Sequence, residues 1–277
     1  MHGKGGVRYD TRMPSAFERV DIVRFTDDRR QPASDLVAAE QALEVRLNGE
    51  PFSVIMRTPG SDRDLAAGFL FSEQVITQAA DVTGFDSQDD VIDVALSAAR
   101  SAGLPGLLAS KRQVTTTSSC GMCGRRTLDS LGVDAPPLSP SWTTDRHAVV
   151  GMPDALRRAQ AVFAETGGLH AAGLFTLRGE LDLIAEDVGR HNAVDKIVGR
   201  MLLAGRLPLA DRMLCVSGRS SFEIVQKAFL AGVPLVAAVS APSSLAVQLA
   251  DDSGMTLLGF VRGERFNIYT HASRIGG

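Results

Sequence analysis

From Leu43 onward apolar and polar residues alternate. Leu43, Val45 and Leu47 share one face, Asn48-Gly49 supplies a two-residue turn, and Phe52, Val54 and Met56 continue the period. This predicts an antiparallel hairpin with one buried face. Ser61-Asp62-Arg63-Asp64 has the form of a capping box, and Leu65, Ala66, Phe69 and Leu70 then recur at helical spacing, so a helix is expected there. Ile92, Val94 and Leu96 alternate with Asp93 and Ala95, which predicts a strand over 91–96.

Residues 1–35 are polar, charged and without periodicity, and read as a flexible N-terminal arm. Residues 36–140 then form a small N-terminal α+β domain. Its last part, from Ser101 to Pro140, is rich in Gly, Ser, Thr and Pro, holds Cys120-Gly121-Met122-Cys123-Gly124, and reads as a loop or junction. Over 141–277 strands and helices alternate. A helix is expected from Pro153 to Thr166, closed by Gly167, followed by strands at 170–177 and 181–186 and a helix at 191–204. Strands at 212–216, 235–239, 255–261 and 266–269 then enclose helices at 221–231 and 245–250. The fold class is therefore α/β (α+β as a whole), the second part being a layered α/β domain.

Composition narrows the function. With 29 Lys+Arg against 32 Asp+Glu the net charge is -3, which gives no general attraction to nucleic acid or anionic lipid. No window supplies the ~20 apolar residues of a membrane span, and the N-terminus lacks the apolar core of a signal peptide. Three cysteines do not make a disulfide framework, so a reducing cytoplasm is the expected compartment.

Three corners in the second half run from a strand's carboxyl end into a helix: Glu186-Asp187-Val188-Gly189-Arg190-His191-Asn192, Ser217-Gly218-Arg219-Ser220-Ser221 and Ser240-Ala241-Pro242-Ser243-Ser244. The first N–H groups of each helix lack intrahelical partners and can receive an anion, with Arg190, Lys196 and Arg219 adding positive charge. If their strands are neighbours, the corners line one rim, where open α/β sheets bind ligands. Each Ser-rich corner is equally explained as an ordinary helix cap; three together with two arginines favour a site for a phosphorylated ligand.

The Cys120-x-x-Cys123 pair has four readings. A zinc site lacks a second ligand pair within the chain, a thioredoxin-type pair would sit in a βαβ unit rather than a Thr/Ser run, and a zinc deaminase would carry H-x-E before P-C-x-x-C. A nucleophilic thiol on a loop fits best, with Gly121 and Gly124 allowing tight turns. Lys111, Arg125 and Arg126 could lower its pKa; a drop of two units from ~8.5 would be worth ~2.7 kcal/mol and make thiolate a large fraction at neutrality. The alternative, incidental cysteines beside a solvated basic flank, stays open.

These residues carry a resemblance. Ser118-Ser119-Cys120-Gly121-Met122-Cys123-Gly124, Gly167-Gly168-Leu169-His170-Ala171-Ala172, the block from Glu186 to Lys196, and Ser217-Gly218-Arg219-Ser220-Ser221-Phe222-Glu223 resemble the FdhD family of formate dehydrogenase accessory proteins. So do Ser240 to Ala246, Val45 to Pro51 and Met56-Arg57-Thr58-Pro59-Gly60, in the family's order over about 36–271. The resemblance implies a sulfur carrier, a sulfurtransferase-type accessory protein rather than a metabolic enzyme. Such a carrier is loaded with persulfide by a cysteine desulfurase. It passes sulfur to the molybdenum (or tungsten) bis-pyranopterin guanine dinucleotide cofactor of formate dehydrogenase. Cys120 would carry the persulfide and Cys123 assist. The cofactor pocket, able to accept a GDP-like nucleotide, would comprise Glu186, Asp187, Gly189, Arg190, His191, Asn192, Asp195, Lys196, Ser217, Gly218, Arg219, Ser221, Ser240 and Ser243. The resemblance also implies a homodimer and a C-terminal domain of cytidine-deaminase-like fold without catalytic zinc. His191 would donate a hydrogen bond or proton, and Glu186 and Asp195 would orient arginines, bind guanine or pair with Lys196. Cys215, in an apolar strand, reads as core. A nucleotide-binding thiol–disulfide oxidoreductase and a zinc-stabilised scaffold shared by two chains are the alternatives.

Overall fold

A computed structural model describes residues 15–111 and 135–276. In chain order the elements are β1 (Phe17–Thr26), β2 (Arg29–Ala38), β3 (Gln41–Leu47), β4 (Glu50–Arg57), α1 (Asp62–Ser72), β5 (Val82–Gln88), β6 (Val91–Leu96) and α2 (Ala98–Lys111). Then follow β7 (Thr144–Asp145), α3 (Arg146–Ala159), α4 (Ala161–Thr166), β8 (His170–Thr176), β9 (Leu181–Asp187), α5 (Arg190–Leu203), β10 (Arg212–Val216) and α6 (Phe222–Leu230). The chain finishes with β11 (Leu235–Ala238), α7 (Ser244–Asp252), β12 (Thr256–Arg262), β13 (Arg265–Ile268) and β14 (Ile275–Gly276). No helix among the described residues is long and apolar enough to cross a membrane.

Two sheets organise the molecule. The smaller has order β4-β3-β6-β5, with β3 parallel to β6. The larger has order β13-β12-β11-β10-β8-β9. Here β10, β11 and β12 run parallel while β8 opposes both β10 and β9. Because β9 thus runs with β10, the turns leaving β9, β10 and β11 emerge at the same edge. Strand alternation sorts the larger sheet's side chains between two cores. Met213 and Cys215 face Val149, Met152 and Leu156 of α3. Leu214 and Val216 face a larger core that runs through α6, α5 and α1 to Leu43, Val45, Ile92 and Val94 of the smaller sheet.

The seam joining the sheets is the α1–α5 crossing. A Cβ on Gly68 would collide with the Asp195 carbonyl, and one on Gly199 with that of Asp64, so only hydrogen fits where the two backbones meet. Leu65 and Leu70 of α1 are completely buried, each worth about 1.5–3 kcal/mol relative to exposure.

Five sequence expectations change. Residues 17–38, within or beside the expected arm, form the β1–β2 hairpin, turned at Asp27-Asp28 with both φ positive. Both its faces are largely exposed, so the strands show no apolar alternation to read. In the β3–β4 hairpin, Asn48 and Gly49 have positive φ as a tight turn demands. However, the pairing slips so that Phe52 is an extra residue on β4. This bulge reverses the alternation: Ile55 and Arg57 are buried, while Val54 and Met56 are exposed. Ser61 is in the left-handed region and its side chain caps nothing; Asp62 instead binds Arg57 and Asp64 binds Arg200. The expected loop at 101–111 is helical, α2 starting after Ser97, whose Oγ accepts from the Arg100 N–H. Finally, the expected helix at 153–166 is two helices. α3 begins at Arg146 with Asp145 as its cap and carries Pro153 inside it. Gln160 leaves helical geometry at φ -77, ψ 85, before α4 ends at Gly167 in the left-handed conformation.

Candidate functional site at the strand ends

The three corners are fastened to one another. Ser217 N–H donates to the Ala171 carbonyl, and Ala171 N–H donates to Ser217 Oγ at 2.9 Å, locking the β10 corner to β8. Ser220 bridges to Pro242, with Ser243 N–H donating to the Ser220 carbonyl, and Phe260 N–H donates to the Ser240 carbonyl. From the first corner, His191 Nε2 lies 3.1 Å from Ser221 Oγ and 2.6 Å from Glu223 Oε2. The rim expected from sequence is therefore continuous, although β8 intervenes between β9 and β10.

The first corner is held from the smaller sheet. Asp187 is fully buried and accepts from Thr58 N–H, Gly189 N–H and Asn192 Nδ2, with Lys196 Nζ at 2.7 Å. Lys196 also donates to the carbonyls of Thr58 and Glu186, and Asn192 to that of Met56. The Met56–Gly60 run is thus a strut for this corner. Glu186 accepts from the N–H groups of Val162 and Phe163, capping α4. Asp195 pairs with Lys227 at 2.7 Å and accepts from Ser72, rather than pairing with Lys196. Of the fourteen residues expected to bind ligand, Glu186, Asp187, Asn192, Asp195 and Lys196 therefore spend these contacts on the protein itself. Gly189 is the N-cap residue of α5, and a Cβ there would crowd the Asn192 amide.

Others face outward or into the rim. Arg219 and Ser243 are exposed, Ser243 also capping α7 through the Ala246 N–H. Arg190, Ser217, Gly218, Ser221 and Ser240 are half-buried. Arg190 Nε is buried without a hydrogen-bond partner among the described residues. Gly218 lies against the His170 ring. Burial chiefly, then the charges of Arg190 and His191, hold His170 below the usual imidazole pKa against the opposing pull of Asp187.

A cavity of about 590 Å³ opens at this edge on the α3–α4 side, within the range of small-molecule sites. Leu156, Phe163 and Val261 give it apolar walls, with His170 and Ser217 at the strand ends and Arg157 and Arg262 supplying charge. The Arg157 guanidinium stacks over Phe163, 4.0 Å from the ring centre. Gln160 is 3% exposed, and its Nε2 has no hydrogen-bond partner among the described residues, a costly arrangement unless an acceptor arrives. Gln160, His170, Arg157 and Arg262 were missing from the sequence-derived site. The signals available were His170 within Gly167–Ala172 and a polar Gln between apolar helical turns.

Cys120 and Cys123, with Arg125 and Arg126, lie outside the described residues. Cys215 is buried in β10, and burial pushes its thiol up to about 12, which suits core and not sulfur chemistry.

Fold and site together define a mixed α/β protein with a cavity at one edge of its larger, mixed sheet, where apolar walls meet a few polar and charged side chains. The chain matches the FdhD/NarQ family model over residues 38–276 and belongs to that family. It is 49% identical over 277 residues to a protein named sulfur carrier protein FdhD from Streptomyces avermitilis, the match covering 93% of this chain and 95% of that one. An identically named protein from Sulfurisphaera tokodaii is 42% identical over 262 residues, covering 93% and 98%. A crystal structure of a candidate formate dehydrogenase accessory protein from Desulfotalea psychrophila superimposes with a TM-score of 0.76. It is 25% identical and covers 95% of this chain and all of that one.

Proposed function

We propose that this protein is a cytoplasmic sulfur carrier. It takes persulfide sulfur from a cysteine desulfurase onto Cys120, assisted by Cys123, and delivers it to the molybdenum or tungsten bis-pyranopterin guanine dinucleotide cofactor of formate dehydrogenase. We read it as a homodimer whose larger sheet is the cytidine-deaminase-like unit that the resemblance implies. The observation that carries the reading is the pairing, in one chain, of a C-x-x-C motif with a strand-end cavity suited to a large anionic heterocycle. The relatives named as sulfur carriers over most of their length support it.

The residues present fit such a client. Gln160 Nε2 and Arg190 Nε are buried donors without an acceptor among the described residues. Arg157 and Arg262 at the cavity, with Arg219 on the rim, supply charge for phosphates. The α6 N-terminus, which Ser221 leaves without a side-chain cap, turns its N–H groups toward the same rim, beside the α7 N-terminus that Ser243 caps. When bound, the cofactor supplies the metal that accepts sulfur. The protein's own part is to hold the phosphates, orient the heterocycle between apolar walls and exclude competing thiols.

The test is mass spectrometry of the full chain after incubation with a cysteine desulfurase and cysteine. Adducts of one sulfur mass on Cys120, retained in Cys123→Ser and lost in Cys120→Ser, are expected. An unmodified protein under conditions that load another carrier would overturn the proposal.

A further inference from the structure

Gln160 joins α3 to α4, and its backbone is engaged on both sides: its N–H donates to the Arg157 carbonyl, and its own carbonyl accepts from Ala164 N–H. A polar side chain at such a junction ordinarily caps the helix that follows. The Gln160 side chain caps nothing; the N–H groups of Val162 and Phe163 at the start of α4 donate instead to Glu186. The amide is nevertheless buried, lines the strand-end cavity, and among the described residues gives its Nε2 no acceptor. A donor in that state costs stability until an acceptor reaches it. Burial across the cavity says what kind of acceptor that is. Leu156, Leu169 and Val261 are buried, as Gln160 is, while Arg157 and Arg262 are exposed. A phosphate at Gln160 would give up its water for one neutral amide, whereas at the two arginines it keeps water and gains charge. The group that meets Gln160 is therefore uncharged, accepts a hydrogen bond and is carried on an apolar frame, as the oxo group of a flat heterocycle is.

We propose that Gln160 is a specificity-determining residue of the cavity, admitting heterocycles that present a ring oxo group to its Nε2 and rejecting those that present an amino group there. An amino group would set donor against donor, and a site built to donate a hydrogen bond discriminates strongly against a ligand that leaves the donor unpaired. This rests on the reading of the cavity as a cofactor site, and the chemistry recognised is the oxo group that guanine and a pterin share.

Calorimetry on the full chain with GDP, IDP, ADP and 6-hydroxymethylpterin tests this. GDP and IDP, which share the oxo group, should bind about tenfold or more tightly than ADP, which carries an amino group in its place. Gln160→Met, apolar and of similar length, should bring GDP and ADP to within about threefold of each other, and Gln160→Leu should do the same. Removing an unpaired buried donor should leave the urea midpoint of the unliganded chain unchanged or raised. Selection among the nucleotides places the guanine end in the cavity; binding of the pterin alone, weakened about tenfold in Gln160→Met, places the pterin end there. A preference for ADP, IDP as weak as ADP, selectivity that survives both variants, or no binding of nucleotide or pterin would overturn the assignment. A urea midpoint lowered in both variants would overturn it as well, by giving the amide a structural role. Sulfur loading of Cys120 is measured on the same samples. A chain that loads sulfur but fails these tests loses this inference alone, and one that selects the oxo ring but loads no sulfur places the failure in the sulfur-carrier reading.

Discussion

Replacing Lys227 by Met tests whether Asp195 serves the fold or a ligand. Lys227 Nζ stands 2.7 Å from both Asp195 carboxylate oxygens, and Ser72 Oγ donates to Oδ1 at 2.8 Å. Met keeps the length of the stem but brings no charge, so among the described residues the carboxylate would retain only the Ser72 hydrogen bond within the buried α1–α5–α6 seam. Breaking one half of a buried ion pair costs about 3–5 kcal/mol. At roughly 2–4 °C per kcal/mol for a chain near this size, Tm should fall by about 10 °C. The loss should depend on pH. Burial is the largest influence on Asp195 and raises its pKa, against the lowering effects of Lys227 and Ser72. Without Lys227 the folded carboxyl holds its proton more tightly still, while the unfolded one keeps its ordinary value of 3.8. Between those two values the folded state binds more protons, so stability rises as pH falls through the window. The deficit of Lys227→Met should therefore shrink on moving from neutrality toward pH 3.8. Asp195→Asn in the same chain should recover most of it. Urea denaturation of the wild type, both single variants and the double variant, at neutral and mildly acid pH, measures the cycle. A Lys227→Met variant within about 1 kcal/mol of wild type, or costs that simply add in the double variant, would refute the pairing.

Three further outcomes follow from the packing. Gly68→Ala should cost about 3 kcal/mol, at the upper end for overpacking, because the new methyl meets the Asp195 backbone carbonyl and not a flexible side chain; an unchanged urea midpoint would refute the close α1–α5 contact. Gln160→Leu removes the buried donor while keeping the cavity lined, so calorimetric affinity for GDP should weaken about tenfold, and equal binding would take Gln160 out of the site. Cys215, its thiol raised to about 12 by burial, should resist iodoacetamide at pH ~8 in the folded protein and react once urea unfolds it; prompt alkylation of the native chain would contradict its place in the core.

Much of this protein could be read along the chain because its signals are local. The alternation of Ile92, Val94 and Leu96 produced β6 at its expected bounds, and the apolar run at 212–216 produced β10. The strand-to-helix corners were visible as short runs of Gly, Ser and Arg. What those corners do with their charges was not, because the partners come from distant sequence. Thr58 reaches Asp187 across 129 positions, and Lys227 meets Asp195 across 32. A sequence shows that Asp187, Asp195 and Lys196 are charged; only packing showed that their charges are consumed inside the molecule. The bulge at Phe52 and the helical break at Gln160 were likewise settled by tertiary contacts. A one-residue slip reverses a strand's faces, and a polar amide enters the interior only where neighbouring elements leave it a cavity. Local chemistry thus determined which segments form the candidate site, while the three-dimensional arrangement decided which of their charged side chains are consumed by contacts inside the protein.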